Sequence, residues 1–193
     1  MKRLLFTCCL MAMTCPAFAD NNFDWSGPYV GVQGNLDNSF LQITDLVTAS
    51  GSNSAFSGGV DMGYNFSSDN FVYGAEIDAN FITGSQIDVA AKDTYRAQPS
   101  WYSTARARVG FSSKNVLFYG TGGLAFGDMG VQNISSGFRV GPALQFGWVV
   151  GTGVEVAVSP KISLKAELLH INLGQQEYYF QDNVARLGIN FHF

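Results

Sequence analysis

Beyond its first fifteen residues the chain has no cysteine. Cys8, Cys9 and Cys15 all fall in a leader-like segment, so residues 20–193 can form neither a disulfide nor a thiolate metal site. Charge is also scarce: Asp, Glu, Lys and Arg make up 13% of residues, against roughly 25% in ordinary soluble domains. No apolar run after the leader is long enough for a membrane-spanning helix. There are only two histidines, which makes a zinc site a poor expectation. What is plentiful is glycine, 22 residues, and aromatic side chains, 14% of the total. Low charge and many aromatics without a hydrophobic helix fit a membrane β-barrel better than a soluble domain.

Residues 1–19 read as a secretory signal peptide. Lys2 and Arg3 give the positive start, a short apolar run follows, and Ala17-Phe18-Ala19 precedes the expected cleavage between Ala19 and Asp20. Taking 19 residues from 193 leaves 174. Removing Lys2 and Arg3 from the 11 basic residues leaves nine against 15 acids, a net charge of −6. An acidic chain of this kind argues against a nucleic-acid partner. Residues 20–193 are expected to form one domain.

Period-two alternation runs through that domain, most plainly at 182–193. Ala185, Leu187, Ile189, Phe191 and Phe193 share one face, and Val184, Arg186, Gly188, Asn190 and His192 share the other. Similar segments are read at 25–36, 55–66, 71–81, 99–111, 116–127, 142–158 and 161–173. Short turns at Ser67–Asn70, Ser112–Asn115 and Ser159–Pro160 alternate with polar loops at 37–54, 82–98, 128–141 and 174–181. Eight strands with alternating short and long connections predict an all-β fold. The expected form is an eight-stranded antiparallel up-and-down transmembrane barrel with short periplasmic turns and longer extracellular loops. Closure is required, because an open edge in hydrocarbon leaves backbone polar groups unpaired. Phe66, Phe71, Phe111, Phe118 and Phe193 at one end, with Phe81, Trp101 and Phe126 at the other, predict two interfacial girdles.

The competing fold is a soluble eight-stranded carrier with its apolar face inside. The interior of eight strands is barely wide enough for its own side chains. Phe71, Tyr73, Phe81, Trp101, Phe146, Trp148, Phe191 and Phe193 cannot all point inward. With the polar faces inside, the lumen gathers Asp61, Glu76, Asp78, Glu155 and Glu167 with Arg106, Arg108, Lys165 and Arg186. Buried charges persist when paired. The expected pairing sets Glu76 and Asp78 beside Arg106 and Arg108, and Glu155 and Glu167 beside Lys165 and Arg186. Such a network either holds the barrel closed or forms a gated plug.

Several stretches resemble the small porin-like and opacity-type outer-membrane β-barrel family of Gram-negative bacteria, which includes surface antigens and hemin-binding proteins. They include Asp24-Trp25-Ser26-Gly27-Pro28-Tyr29-Val30-Gly31-Val32, Gly58-Gly59-Val60-Asp61-Met62-Gly63-Tyr64-Asn65 and Phe71-Val72-Tyr73-Gly74-Ala75-Glu76-Ile77-Asp78. Ala107-Arg108-Val109-Gly110-Phe111, Gly147-Trp148-Val149-Val150-Gly151-Thr152-Gly153-Val154-Glu155 and the Arg186–Phe193 ending also match. The resemblance covers nearly all of residues 20–193 and implies an eight-stranded barrel in the cell outer membrane. Its expected partners are outer-membrane lipid, host or surface ligands at the loops, and the barrel-assembly machinery. Phe191 and Phe193 of the closing strand are the expected assembly signal.

Three functions compete. The first is a surface protein that supports envelope integrity and makes contacts through loops 37–54 and 83–98. The second is a small pore or hemin-uptake protein, for which His170, His192, Tyr95, Tyr178 and Tyr179 are the available ligands. Eight strands leave no aqueous channel, which disfavours it. The third is a lipid deacylase of the His-x-Ser type. Here His170-Ile171-Asn172 puts Asn where the nucleophile belongs, and Asn cannot serve. No cofactor and no enzymatic activity are expected.

Overall fold

The computed structural model describes residues 23–43, 49–83, 87–90, 94–133, 144–173 and 178–193. The expected signal peptide and its Ala19–Asp20 junction lie outside the described residues, as do parts of all four long loops. The strands are β1 (Gly27–Ile43), β2 (Ala49–Ser68), β3 (Phe71–Thr83), β4 (Ile87–Ala90), β5 (Thr94–Ser113), β6 (Val116–Asn133), β7 (Leu144–Ser159), β8 (Ile162–Leu173) and β9 (Tyr178–His192).

Eight of them close into an antiparallel barrel. The order is β3-β2-β1-β9-β8-β7-β6-β5, and β3 pairs with β5 to complete the ring. The short β4 pairs only with the outer end of β5, Ile87 opposite Ala97. The joining pair β3–β5 runs from Phe71↔Phe111 to Phe81↔Trp101. No edge is left within the ring, which is what hydrocarbon demands.

The burial pattern is inverted relative to a soluble protein. Phe56 is 73% exposed and Leu187 71%, whereas Arg186 is 1% exposed and Lys165 2%. Bulky apolar residues point out and charges point in, so the soluble carrier is excluded and the outer face meets lipid. At the turn end, Phe66 stacks on Tyr73 with ring centroids 5.4 Å apart, and Phe71 meets Phe111 edge-on at 6.0 Å. At the loop end, Phe126 lies 6.3 Å from both Trp101 and Phe146. These are the two aromatic girdles.

Three details go beyond the sequence reading. First, strands run further than the alternation implied. The β1–β2 hairpin extends to Ile43↔Ala49, so much of the expected loop 37–54 is paired strand. Likewise β5 begins at Thr94, inside the expected loop 82–98, and Pro99 marks a register shift rather than a strand start. A residue without an N–H fits such an irregularity. Second, Asp69 and Lys114 occupy the left-handed region at two of the tight turns, with φ of 52° and 54°. Third, Trp25 precedes the first strand rather than belonging to it. Gly27, at φ 111°, turns the chain so that Trp25 enters the barrel mouth. A side chain at that φ is strained, so glycine suits the position.

Candidate functional site: a charged, closed lumen

The inward faces form three layers. At the turn end Trp25 packs with Val72, Leu117, Tyr119 and Ala157, and Phe23 rests against them. Phe23 meets Trp25 at 4.7 Å and His192 at 5.0 Å, both edge-on. The segment before β1 thus caps the periplasmic mouth with apolar side chains.

The middle layer is ionic, and all nine charged residues singled out in the sequence are buried there. Alternation places them inside. Their partners lie across the lumen as well as along the sheet, where Glu76 faces Arg106 and Glu167 faces Arg186. Glu155 and Lys165 are directly opposite on β7 and β8, yet no ion pair joins them. Glu155 instead takes Arg108 from β5 at 2.6 Å, and Lys165 reaches Asp61 of β2 at 2.6 Å and Glu76 of β3 at 3.2 Å. Arg106 binds Glu76, Glu167 at 3.1 Å and Asp78 at 3.3 Å. Arg186 binds Asp78 at 3.0 Å and Glu167, its neighbour on β8, at 3.3 Å. The expected grouping therefore holds for Glu76 with Arg106 and Arg108, for Asp78 with Arg106 and for Glu167 with Arg186. Asp78 contacts Arg186 rather than Arg108, and the Glu155–Lys165 grouping is replaced by Arg108 and Asp61. The physical reason is reach. Lys and Arg side chains from one wall of so narrow a barrel span it, and each buried carboxylate gains by accepting from several donors.

Residues that sequence reasoning did not single out complete the network. The Tyr29 hydroxyl donates to Glu76 at 2.7 Å and accepts from Arg108 at 2.8 Å. The Tyr119 hydroxyl donates to Glu167 at 2.9 Å. The Arg108 guanidinium lies 4.1 Å from the Tyr119 ring centroid and 5.4 Å from that of Tyr29, a cation–π clasp. Asn190 and Ser163 donate to Glu155, and His192 lies 3.4 Å from it. Glycines make room for these groups. Tyr29 lies over Gly63, its partner on β2, where a Cβ would collide with the phenol ring. Tyr119 covers Gly153, where a Cβ would come within 2.5 Å of Cζ.

The extracellular layer changes character. Tyr102, Asn35, Ser57 and Asp37 are hydrogen-bonded on one side. Val149, Leu169, Ile171, Leu173 and Val184 are buried on the other.

The other candidate residues are dispersed. His192 is buried at the periplasmic mouth. His170 faces outward, its Nδ1 2.9 Å from Asn183 Oδ1 and its ring 5.5 Å from that of Trp148. The side chains of Tyr95, Tyr178 and Tyr179 lie outside the described residues. Among the described residues no group of three or more His, Cys, Asp and Glu could hold a metal ion. Phe191 and Phe193 sit on the outer face, 5.2 Å apart.

Comparison with known proteins agrees with this architecture. The family model described as outer membrane protein beta-barrel domain matches residues 5–193. The 31 kDa outer-membrane immunogenic protein of Brucella melitensis is 30% identical over 214 residues, which cover 90% of this chain and 85% of that protein. Among solved structures, neisserial surface protein A superposes with a TM-score of 0.57 at 18% identity, covering 87% of this chain and 98% of that one. The attachment invasion locus protein Ail of Yersinia pestis gives 0.52 at 13% identity, with 87% and 99% covered. At such identities the two structures speak to the fold alone.

Proposed function

The chain belongs to the outer membrane protein beta-barrel domain family, and on that premise we propose that it is a closed surface barrel that supports envelope integrity and meets host or environmental ligands through its extracellular loops. It resides in the outer membrane and is not an enzyme. The observation that carries the proposal is the lumen itself. Four cationic side chains and five carboxylates bridge its walls, and Phe23 and Trp25 cap its periplasmic end. A filled lumen leaves the loops as the working surface. The immunogenic character named for the Brucella relative is in keeping with exposed loops.

Two further elements belong to the proposal. Residues 1–19 act as an export signal cleaved between Ala19 and Asp20, and Phe191 and Phe193 present the closing strand to the barrel-assembly machinery. The competing reading, uptake of hemin or another small solute, requires a passage through the ionic layer. Single-channel recording of the refolded protein in a planar bilayer separates the two, with heat-modifiable gel migration as the check on folding. Folded protein without conductance supports the closed barrel. Sustained nanosiemens steps sink it.

A further inference from the structure

Among the described side chains, the outer faces of β8, β9 and β1 do not end on aromatics at the loop end. On β8, β9, β1 and β2 the apolar band stops at Leu168, Ala185, Leu36 and Phe56, four neighbours across the sheet. The next row outward is His170, Asn183, Asn38 and Ser54, again four neighbours. Both ends of this row are hydrogen-bonded: His170 Nδ1 donates to Asn183 Oδ1 at 2.9 Å, and Ser54 Oγ donates to Asn38 Oδ1 at 2.8 Å. Trp148 flanks the row, half exposed, with its ring against His170.

Those bonds consume both amide oxygens. What remains for a ligand is the donor side of each amide, the Nδ2 groups of Asn183 and Asn38, while His170 Nε2, with the ring proton on Nδ1, is an acceptor. Among the described residues, the outer faces of these four strands carry no Asp, Glu, Lys or Arg. The row therefore offers two amide donor groups and is free of repelling carboxylates. An indole face next to it suits the C–H face of a sugar. The row continues an interface already occupied by acyl chains, so its occupant is the head of the amphiphile whose tails cover the band below.

We propose that His170, Asn183, Asn38 and Ser54, with Trp148, form a docking site for the phosphate- and acyl-carbonyl-bearing head of an outer-leaflet glycolipid. The contact is one-sided. It belongs to the β8–β9–β1–β2 arc, while Trp101, Phe126 and Phe146 mark the boundary on the opposite arc.

The test is native mass spectrometry of the refolded full-length barrel in detergent, titrated with bisphosphorylated lipid A, phosphatidylglycerol or inorganic phosphate. The expected result is retention of lipid A well above phosphatidylglycerol, with no competition from inorganic phosphate. His170→Ala combined with Asn183→Ala should lower that retention roughly tenfold, the order for losing one to two hydrogen bonds, without loss of heat-modifiable migration. Asn38→Ala, at the other end of the row, reads the same effect if the double variant fails to fold. Unchanged retention in the folded variants overturns the proposal, as does equal retention of phosphatidylglycerol. Full displacement by inorganic phosphate overturns it in favour of a soluble anion.

Discussion

Lys165 of β8 bonds to Asp61 of β2, 2.6 Å away and 104 residues earlier in the chain, and not to Glu155 directly opposite it on β7. The pair ties non-adjacent strands together through the barrel's interior. Its contribution shows when one partner is removed. Lys165→Met leaves the buried Asp61 carboxylate without its cation, while Glu76 keeps Arg106 and Arg108. Breaking a buried pair costs about 3–5 kcal/mol, whereas replacing both partners is nearly neutral. Lys165→Met should therefore lower the midpoint of heat-modifiable unfolding strongly, and Lys165→Met with Asp61→Asn should recover most of the loss. A double variant no better than the single one refutes the cross-lumen pairing.

Tyr29 over Gly63 makes a second coupled pair. The glycine is there to receive the ring, and the ring in turn holds Arg108 and Glu76. Gly63→Ala pushes the ring off its seat and should destabilise the barrel by about 1–3 kcal/mol, the usual range for overpacking. In a Tyr29→Ala background the ring is gone and the new Cβ meets the Ala75 carbonyl oxygen, at 2.7 Å, so the same change should cost clearly less. Urea unfolding in lipid vesicles measures the coupling energy, and additive effects would show that the two residues act independently.

The ring of eight strands and the direction of its faces were legible because lipid outside and a narrow lumen inside impose the same alternation on every strand. The nine charges were legible for the same reason. Of their partners only those along the sheet or one strand away were, such as Arg106 for Glu76 and Arg186 for Glu167, because sequence order reveals neighbours along the sheet and says nothing of reach across a lumen. Tyr29 and Tyr119 were hidden by glycines that blurred the faces of β1 and β6. The signal was present for Tyr119: once Phe118 is placed outward at the turn beside Phe111, its successor must face in. Trp25 escaped because its placement depends on one backbone angle, at Gly27, that alternation does not encode.

That cap yields a prediction separating structure from permeation. Trp25→Ala removes the largest side chain of the periplasmic cluster and should cost about 3–5 kcal/mol, as for other large aromatic truncations. The ionic layer above it remains intact, so the variant should stay non-conducting in planar bilayers despite its lower stability. Conductance appearing in Trp25→Ala would mean that the cap, and not the ion network, closes the barrel.

The extracellular end should respond to pH. Asp182 lies one residue loopward of Asn183, beyond the apolar band, yet its carboxyl is buried beneath the rim. Burial first, and the neighbouring Asp37 carboxylate second, push its pKa up to about 7 against the opposing hydrogen bonds from Ser39 and the Asn38 backbone. The unfolded chain releases this proton near the ordinary value of 3.8. Between about pH 4 and 7 the folded state holds a proton that the unfolded state has lost, so stability falls as pH rises through that window. The contribution is fully present below it and gone above it. Hydrogen exchange in the outer ends of β1 and β9, corrected for the intrinsic effect of pH, should therefore show greater opening at pH 8 than at pH 5. Asp182→Asn, which carries no charge at either pH, should remove most of the difference. A variant that keeps the wild-type pH response would place the titrating group elsewhere on the rim.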